Sequence, residues 1–367
     1  MSEDGGLHRV RAEELEGLVA AIFAAAGCSG AEAARIADGL VGANLTGHES
    51  HGVARVPRYL EWLRTGEVEA DQTAEVVSDA GGLAVIDGRY GFGATVGREA
   101  VEFGITRAQE TGSAIVGLRR AGHLGRIGQW AERAAEAGLV SIHLVNVAGS
   151  TLVAPFGGVD RRFSTAPIAF GFPVPDEPPV ILDFATSLVA EGKVLVASQG
   201  GKALPDGSLI DPDGRLSSDP TTLYGALAPG GPRDHRRGLG AIRTMGDHKG
   251  SGLALMCELV AGALTGSGCA GPPRGQRFAN GMVSIYLAPA SFGSTEEFET
   301  ETREFLDFVR ASRPAEPGGA VLLPGEPERH TRSERLRHGI PLSAETWAAL
   351  RSIAAGLEVD DSVLAEA

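Results

Sequence analysis

The sequence predicts an α/β protein with helical segments at both chain ends, and three observations support this prediction. Residues 1–75 carry apolar side chains three and four positions apart, as on one face of a helix. In residues 76–295, short β-branched runs alternate with glycines and helical stretches, which is typical of an α/β domain with strands and helices in turn. Residues 296–367 return to a helical pattern. We therefore expect an α/β domain over residues 76–295 between two helical segments, with the C-terminal segment packing with the N-terminal one.

The composition excludes several classes of protein. The chain has 367 residues, of which 43% are hydrophobic and 22% charged, and this balance is typical of folded globular proteins. Its formal net charge of -14 repels nucleic acid and anionic lipid, so we expect neither as a partner. An anionic substrate must therefore meet a local cluster of positive charge.

Cysteine usage and the N-terminal residues bear on location. Cys28, Cys257 and Cys269 are widely spaced and form no CxxC pair, so neither a disulfide framework nor a thiolate zinc site is expected. The first residues contain no apolar signal-peptide core, and no stretch approaches the roughly 18 apolar residues of a membrane span. These features predict a cytoplasmic protein.

The N-terminal segment should contain three helices. Apolar residues within Leu15–Phe23 lie on one helical face, and Gly27 is placed to end that helix. Ser29 should begin the second helix, with Glu32 at the capping-box spacing. The third helix should end by Gly66.

The middle of the chain should alternate strands with helices. The predicted strands are Leu83–Asp87, Ala114–Leu118, Leu139–Asn146, Val180–Phe184 and Val283–Ala288. The predicted helices are 95–110, 126–137, 187–199, 250–262, 300–311 and 344–355. The stretch 201–247 is rich in Gly, Pro, Asp and Arg with little periodicity, so an insertion is expected there, and its piece GGPRDHRRGLGAIRTMGDH, residues 230–248, is expected to be mobile.

The stretch GHESHGVARVPRY, residues 47–59, is the densest group of chemically useful side chains. It should lie where a glycine-containing loop enters a helix, and a helix N-terminus favours anions. Arg55 can bind a carboxylate through two parallel hydrogen bonds. His51 can exchange a proton with a reacting oxygen near neutral pH. The alternative is a solvated loop with capping residues, and the pattern alone leaves both open.

Other histidines are weaker candidates. His123, in AGHLGRIG, should follow the carboxyl end of a strand, where α/β proteins often place site residues, although a single loop histidine is often incidental. His143 lies within a predicted strand and is assigned to the core. His48 and His51 lack carboxylate or thiolate companions at fixed spacing, so no metal site is expected.

A glycine-rich run imitates a dinucleotide-binding loop. Gly91, Gly93 and Gly97 follow a predicted strand, and Arg119 and Arg120 end the next one, where a 2′-phosphate would lie. Additional residues separate the strand from the glycines, whereas the fingerprint requires the turn to follow the strand directly. This run is therefore a poor basis for a cofactor assignment.

Two further stretches combine polar residues with apolar runs. In ILDFATS, Asp183 should end a strand, and Thr186 and Ser187 should begin a helix. In DHKG, Lys249 should begin an apolar helix. Hydroxyls, backbone donors and an ammonium group at helix starts suit a pyrophosphate or a ribose. Helix capping alone would explain the two hydroxyls equally well.

Taken in order, these motifs resemble one enzyme family. The series GHESHGVARVPRY, VIDGRYGFG, AGHLGRIG, APFGGVDRRFSTAPIAF, ILDFATS, HKGSGLAL, and LPGEPE with HGIPLSAET runs from about residue 10 to residue 357. It resembles the malate/L-lactate dehydrogenase family, which is distinct from the Rossmann-fold lactate dehydrogenases and includes ureidoglycolate dehydrogenase, sulfolactate dehydrogenase, 2,3-diketogulonate reductase and piperideine-2-carboxylate reductase. The resemblance implies a non-Rossmann NAD(P)-binding domain, a helical domain built from both chain ends, and a homodimer with sites near the subunit interface.

The resemblance also implies roles for individual residues. The residues that bind the substrate carboxylate in the family correspond to Arg55 and Tyr59. The proton acceptor corresponds to His123, or to His51 of the SHG motif, which some members use instead. Ser50 would orient a histidine. On the cofactor side, the resemblance points to Thr165, Pro167, Asp183, Ala185, Thr186, Ser187 and Lys249. Asp183 would orient a histidine or the amide of the cofactor.

One departure from the family pattern stands out. Family members usually read GTNP where this chain has Ser164–Pro167, so Ala166 replaces an asparagine. Any contact that the missing amide makes with cofactor or substrate is lost.

The leading functional hypothesis is hydride transfer between a nicotinamide, NAD or NADP, and C2 of a small 2-oxo or 2-hydroxy carboxylate. A related alternative is reduction of a cyclic imine carboxylate. A different alternative is a catalytically idle relative that only binds a small acid, which the change at Ala166 favours. A metal-dependent hydrolase is the remaining alternative. The sequence leaves open the substrate, the choice of cofactor and the physiological direction.

Overall fold

The computed structural model describes residues 7–198, 202–226, 235–271 and 277–360. Its helices are α1 (Ala12–Ala25), α2 (Gly30–Leu45), α3 (Val56–Thr65), α4 (Gly93–Thr111), α5 (Gly128–Glu136), α6 (Glu191–Ser198), α7 (Thr221–Tyr224), α8 (His248–Cys257), α9 (Thr295–Arg310), α10 (Glu326–His338) and α11 (Ala344–Gly356). A π-helix, Glu258–Leu264, continues directly from α8. No helix within these ranges has both the length and the apolar character that a membrane span requires.

The strands are β1 (Leu7–Val10), β2 (Glu75–Asp79), β3 (Leu83–Asp87), β4 (Ser113–Ala121), β5 (Val140–Ala148), β6 (Pro167–Val174), β7 (Glu177–Ala185), β8 (Leu209–Ile210), β9 (Leu216–Ser217), β10 (Ala241–Ile242), β11 (Ala279–Leu287) and β12 (Ile340–Ser343). Seven of them form a central sheet in the order β2-β3-β4-β11-β5-β6-β7. Within this sheet β3 and β4 are parallel, and the other neighbouring pairs are antiparallel. A Rossmann sheet is mostly parallel, so the predicted α/β class with a non-Rossmann sheet is confirmed.

Helices cover both faces of this sheet. Because side chains alternate along a strand, neighbouring residues of β5 face opposite sides. Val145 packs into a cluster that includes Trp130 of α5, while Leu144 packs against Ala254 and Cys257 of α8. Burial on both faces explains why the central strands read as nearly continuous apolar runs.

Both chain ends contribute to a second core. β1 pairs with β12, and Val10 lies opposite Ile340. Both residues are buried in a cluster that also contains Phe23 and Trp347. Helix α10 contacts α2, α11 contacts α1 and α3, and α9 contacts β6 of the central sheet. The three-part division of the chain remains a prediction.

Most helix ends predicted in the N-terminal segment are confirmed. Ser29 Oγ accepts a hydrogen bond from Glu32 N at 3.3 Å, which caps α2. Gly27 and Gly66 follow α1 and α3 with φ values of 105° and 72°, a left-handed conformation that glycine adopts without strain. The sequence did not indicate β2, β6 or α10.

The helix predicted at 187–199 begins later, at Glu191. Ser187 instead forms an isolated β-bridge, and the Oγ1 of Thr186 donates to Thr165 O at 3.0 Å. The prediction that Thr186 and Ser187 begin a helix is therefore wrong. The chain stays non-helical there because these residues pair with neighbouring extended segments.

Part of the stretch 201–247 is folded, and it shares its core with Val153 and with Val194 of α6. β8, β9 and β10 make a small sheet in the order β10-β8-β9. This part buries a common set of apolar side chains that includes Leu209, Leu223, Tyr224 and Ile242. The described residues of this stretch thus form regular structure around a core, and the mobility predicted for residues 230–248 remains a prediction. Residues 227–234 lie outside the described residues.

The glycine run before α4 serves close packing. A Cβ on Gly93 would collide with the carbonyl group of His123, so glycine allows α4 to begin directly against that loop. Arg119 Nε and Arg120 Nε each donate to the buried Asp87 carboxylate at 3.0 Å. Both arginines are therefore engaged in holding β3 against β4.

Candidate active site

The loop before α3 has a fixed shape. It consists of two 3₁₀ turns, Glu49–His51 and Val53–Arg55, joined at Gly52. The buried amide of Asn44 accepts a hydrogen bond from Val53 N at 2.8 Å. A Cβ on Gly52 would overlap the same Asn44 side chain. Glycine is therefore required for the turn that presents Ser50, His51 and Arg55.

The structure brings the two candidate histidines together. The rings of His51 and His123 are stacked, with centroids 5.6 Å apart and planes 11° apart. Tyr59 OH lies 2.6 Å from His123 Nδ1, and Ser50 Oγ lies 3.1 Å from His51 Nδ1. Each imidazole is thus held at Nδ1 by a neighbouring hydroxyl. Nε2 of each ring forms no hydrogen bond with another part of the described chain and remains available to a substrate.

Arg55 lies beside this histidine pair. Its Nε donates to Ser50 O at 2.6 Å, which orients the guanidinium group. Its two terminal nitrogens form no hydrogen bond or ion pair with other described residues. They therefore remain available for the bidentate binding of a carboxylate. Arg55, Ser50, His51, Tyr59 and His123 form one cluster, as the sequence predicted.

Burial and nearby positive charge keep both histidines neutral. Burial, with the charge of Arg55, lowers the pKa of His51 to about 3. The same two causes hold the pKa of His123 well below its usual 6.5. Burial raises the pKa of Tyr59, so the phenol also stays protonated. At neutral pH the site therefore carries the positive charge of Arg55 beside two uncharged bases.

Asp183 anchors the first residue of α5. Its Oδ2 accepts a hydrogen bond from Gly128 N at 2.7 Å, and burial raises its pKa. The sequence had not indicated Arg126, which is 4% exposed, forms an ion pair with Glu132 and acts electrostatically on both Asp183 and His51. The position of Arg126 three residues after His123 in AGHLGRIG was the available signal.

Gly192 is a second residue that sequence reasoning missed. It lies in the first turn of α6, and a Cβ there would collide with the Cβ of Ser50. This close approach allows α6 to pack directly on the turn that carries Ser50 and His51. In the sequence alone nothing distinguishes this glycine from the other glycines of the chain, so no usable signal was present.

His143 lies apart from this cluster. It is fully buried in the central sheet, with Nδ1 2.8 Å from Ser284 Oγ and Nε2 3.0 Å from Ser141 Oγ. Both ring nitrogens are satisfied within the protein, and its assignment to the core is confirmed. Among the residues that the structure describes, no three His, Cys, Asp or Glu side chains form a cluster that could hold a metal ion.

Comparison with known proteins identifies the family. The malate/L-lactate dehydrogenase family matches residues 10–351. The chain belongs to this family. Hydroxycarboxylate dehydrogenase B of Escherichia coli (strain K12) is 38% identical over 361 residues, which cover 97% of this chain and 96% of that protein. The predicted family and the predicted oxidoreductase class are confirmed.

Two further relatives show the range of the malate/L-lactate dehydrogenase family. The Delta(1)-pyrroline-2-carboxylate/Delta(1)-piperideine-2-carboxylate reductase of Pseudomonas putida is 32% identical over 351 residues, 94% of this chain and 96% of that protein. The solved structure of sulfolactate dehydrogenase from Methanocaldococcus jannaschii is 31% identical, with a TM-score of 0.82 over 96% of this chain and 98% of that chain. The dehydrogenase family implies a nicotinamide cofactor.

The residues expected on the nicotinamide side of this dehydrogenase are also brought together. Pro167 pairs with Ala185 across β6 and β7, and Thr186 N donates to Thr165 O at 3.1 Å. Gly250 has no room for a Cβ because the carbonyl of Thr186 lies against it, so the first turn of α8 packs on the end of β7. The exposed Lys249 belongs to this turn.

This arrangement fits a dinucleotide. An ammonium group at a helix N-terminus suits phosphate, and the adjacent backbone and hydroxyl groups suit ribose or amide hydrogen bonds. Asp183 and Ala185 point to the same face of β7, and two residues of strand span ~7 Å. Asp183 therefore links the cofactor-side residue Ala185 to the start of α5.

Ala166 is the residue at which this dehydrogenase departs from the family's GTNP pattern, and its backbone conformation is unusual. It is fully buried with φ of 37°, in the left-handed region. Asparagine tolerates this region better than alanine does. The replacement thus removes an amide and also leaves a strained alanine beside Thr165 and Pro167.

Proposed function

We propose that the protein transfers hydride between NAD or NADP and C2 of a small 2-oxo or 2-hydroxy carboxylate. The observation that carries this proposal is the position of Arg55 beside two neutral, partly buried imidazoles with free Nε2 atoms. A carboxylate on Arg55 would place the neighbouring C2 oxygen at the histidines. The residues proposed to hold the cofactor are Thr165, Pro167, Asp183, Ala185, Thr186, Ser187 and Lys249.

Arg55 supplies orientation. Two parallel hydrogen bonds from its terminal nitrogens fix both the position and the plane of the carboxylate. Because C2 is bonded directly to that carboxylate, fixing the plane also determines which face of C2 is presented. The bound nicotinamide supplies hydride to C2 or takes hydride from it.

His123 exchanges the proton of the C2 oxygen through Nε2. Tyr59 carries both a proton and lone pairs on its hydroxyl. It can accept the hydrogen bond of Nδ1–H, which leaves the Nε2 lone pair free to take a proton from a C2 hydroxyl. The resulting imidazolium keeps the same bond to Tyr59, and the reverse transfer gives the proton to a carbonyl oxygen. Tyr59 thus supports His123, in addition to the carboxylate-binding role predicted from the resemblance.

His51 remains the alternative proton carrier. Its ring is parallel to that of His123 and its Nε2 is equally free. Two stacked imidazoles beside Arg55 cannot both be charged without strong repulsion, so one proton is shared by the pair at most. Ser50 would hold His51 through Nδ1, as predicted.

The same geometry supports reduction of a cyclic imine carboxylate. Arg55 would again bind the carboxylate, and the proton would go to nitrogen instead of oxygen. The named activity of the Pseudomonas putida relative favours this second candidate. A catalytically idle acid-binding protein is the third candidate, on the ground of Ala166.

An absorbance assay of the reduced nicotinamide tests the proposal. We expect turnover with at least one member of a panel of 2-oxo acids and cyclic imines, using NADH and NADPH in parallel. Oxidation of the corresponding hydroxy acids with NAD and NADP tests the reverse direction. Silence across the panel, with no cofactor binding by fluorescence, would contradict the proposal and favour the idle relative.

The pH dependence should follow the neutral histidine. In hydroxy-acid oxidation His123 must accept a proton, so activity is lost as pH falls through its pKa. Since burial holds that pKa below 6.5, kcat/KM should stay flat from about pH 8 down to about pH 6.5 and fall only at lower pH. In the reductive direction His123 must be protonated, so kcat/KM should decrease as pH rises from about 6.5 to about 8. A half-maximal oxidative rate above about pH 7 would contradict this assignment.

The homodimer and the cytoplasmic location remain proposals. The outer surface of α8 and the π-helix exposes Leu255, Met256 and Leu259, each more than 40% accessible. An apolar stripe of this kind suits contact with a second copy of the chain. Sedimentation velocity at several protein concentrations tests the homodimer.

A further inference from the structure

A buried polar network begins at the loop that carries His123. Asn280 Oδ1 accepts a hydrogen bond from Leu124 N at 2.9 Å, and Asn280 Nδ2 donates to Asn146 O at 2.8 Å. Leu124 directly follows His123. A β-bulge between Asn280 and Met282 interrupts the pairing of β11 with β4, and such bulges redirect side chains. Asn280 thus holds the backbone next to the proposed proton carrier.

Asn146 continues the network across the sheet. Its Oδ1 accepts from Gly281 N at 3.2 Å, and its Nδ2 donates to Glu258 Oε2 at 2.9 Å and to Gly268 O at 2.8 Å. The residue is fully buried. Because its carbonyl oxygen and both amide protons are engaged, its side chain has one orientation that satisfies these partners.

Glu258 ends the network on the cofactor side. It is 4% exposed and forms no ion pair with any described residue. Its Oε1 accepts from Ser164 Oγ at 2.9 Å, and its Oε2 also accepts from Ala270 N at 2.7 Å. Ser164 Oγ in turn accepts from Ala166 N at 3.3 Å. A buried carboxylate is costly unless donors surround it, and here the donors are Ser164, Ala270 and Asn146.

The first residue of the π-helix is Glu258 itself. π-helical turns are rare in proteins, and those that do occur are frequently found at functional sites. The turn directs a carboxylate from the helix layer into the sheet, where it meets Asn146 and Ser164. The network therefore connects three parts of the fold: the His123 loop, the central sheet and the segment Ser164–Pro167.

We propose that Asn280 and Glu258 are positioning residues for the hydride-transfer site. Asn280 acts on His123 through the Leu124 amide, and Glu258 acts on the cofactor side through Ser164. Asn146 couples the two. This inference rests on the proposed function, since it assigns these residues to the same site.

Hydrogen exchange of the cofactor-free protein tests the network without any activity. In Asn280→Ala, exchange of the Leu124 amide should accelerate by about tenfold or more, because its acceptor is lost. The matched control is Ser284→Ala, on the same strand, which removes a buried hydroxyl 2.8 Å from His143 Nδ1. That control should leave Leu124 exchange unchanged. Equal acceleration in both variants, or none in Asn280→Ala, would overturn the proposal.

Kinetics test whether the positions matter for turnover. Asn280→Ala should lower kcat by about tenfold and leave the KM for the cofactor within about twofold. Glu258→Gln should show the opposite pattern, with the larger change in the cofactor KM. Ser284→Ala should leave both parameters within about twofold of the wild type. A uniform loss of kcat in all three variants would indicate a merely structural role and contradict the proposal.

A conservative variant covers the case in which Asn280→Ala does not fold. Asn280→Asp keeps the acceptor for Leu124 N and loses the donor to Asn146. It should keep Leu124 protected and recover most of kcat; loss of both would overturn the proposal. If the wild-type protein shows no turnover at all, the proposed function fails, and the exchange of Leu124 still decides whether the network holds the loop.

Discussion

Replacing His123 with alanine is expected to lower kcat by about 100- to 10,000-fold, which is the usual contribution of a positioned general acid or base. The loss should appear in both reaction directions, because one Nε2 atom takes and returns the proton. The dissociation constant of the cofactor should stay within about threefold of the wild type, since His123 is proposed to act on the substrate and not to hold the cofactor. Steady-state kinetics and fluorescence titration of the cofactor measure the two effects.

His51→Ala is the matched control for this prediction. The two rings are stacked, both are partly buried, and each is held by a neighbouring hydroxyl at Nδ1. If His123 carries the proton, His51→Ala should cost markedly less in kcat, and added imidazole should restore part of the activity of His123→Ala. Wild-type turnover in His123→Ala, with the large loss in His51→Ala, would assign the proton to His51.

The fold was predictable from sequence where a segment has one apolar face or a strong terminator. Apolar spacing and Gly27 indicated α1, and Ser29 with Glu32 indicated the start of α2. Helix α10 escaped detection because it is charged along its length and buries no side chain completely. β6 was not predicted because prolines and a glycine interrupt its apolar run. The small sheet within 201–247 consists of strands of two residues each, which give no periodic signal.

The candidate site was predictable as a set of residues, and its geometry was not. The motif spacing grouped Ser50, His51 and Arg55, but the stacking of His51 on His123 depends on α4 beginning against the His123 loop. Gly192 and Arg126 act through close approach and buried charge. Both effects depend on which chain segments lie against each other in the folded protein. The identities of neighbouring residues along the sequence do not indicate these contacts.

Arg55→Lys is expected to raise the KM for the 2-oxo acid by about 10- to 100-fold, equivalent to about 1.4–2.7 kcal/mol of lost binding. Lysine keeps the positive charge but cannot form two parallel hydrogen bonds with a carboxylate. It also lacks the Nε–H that donates to Ser50 O at 2.6 Å, so the turn that carries His51 loses an anchor. The kcat should decrease less than kcat/KM, because the lost interaction binds ground state and transition state alike.

Two variants separate the geometry of Arg55 from its charge. Arg58→Lys, one turn further along α3, changes an exposed arginine that pairs with Glu61 at 3.0 Å and should leave the KM unchanged. Arg55→Met removes the charge that helps to lower the pKa of His123, so that pKa should rise toward 6.5. The acid limb of the oxidative pH profile should then move to higher pH, whereas in Arg55→Lys it should stay in place. An unchanged profile in Arg55→Met would contradict the electrostatic action of Arg55 on His123.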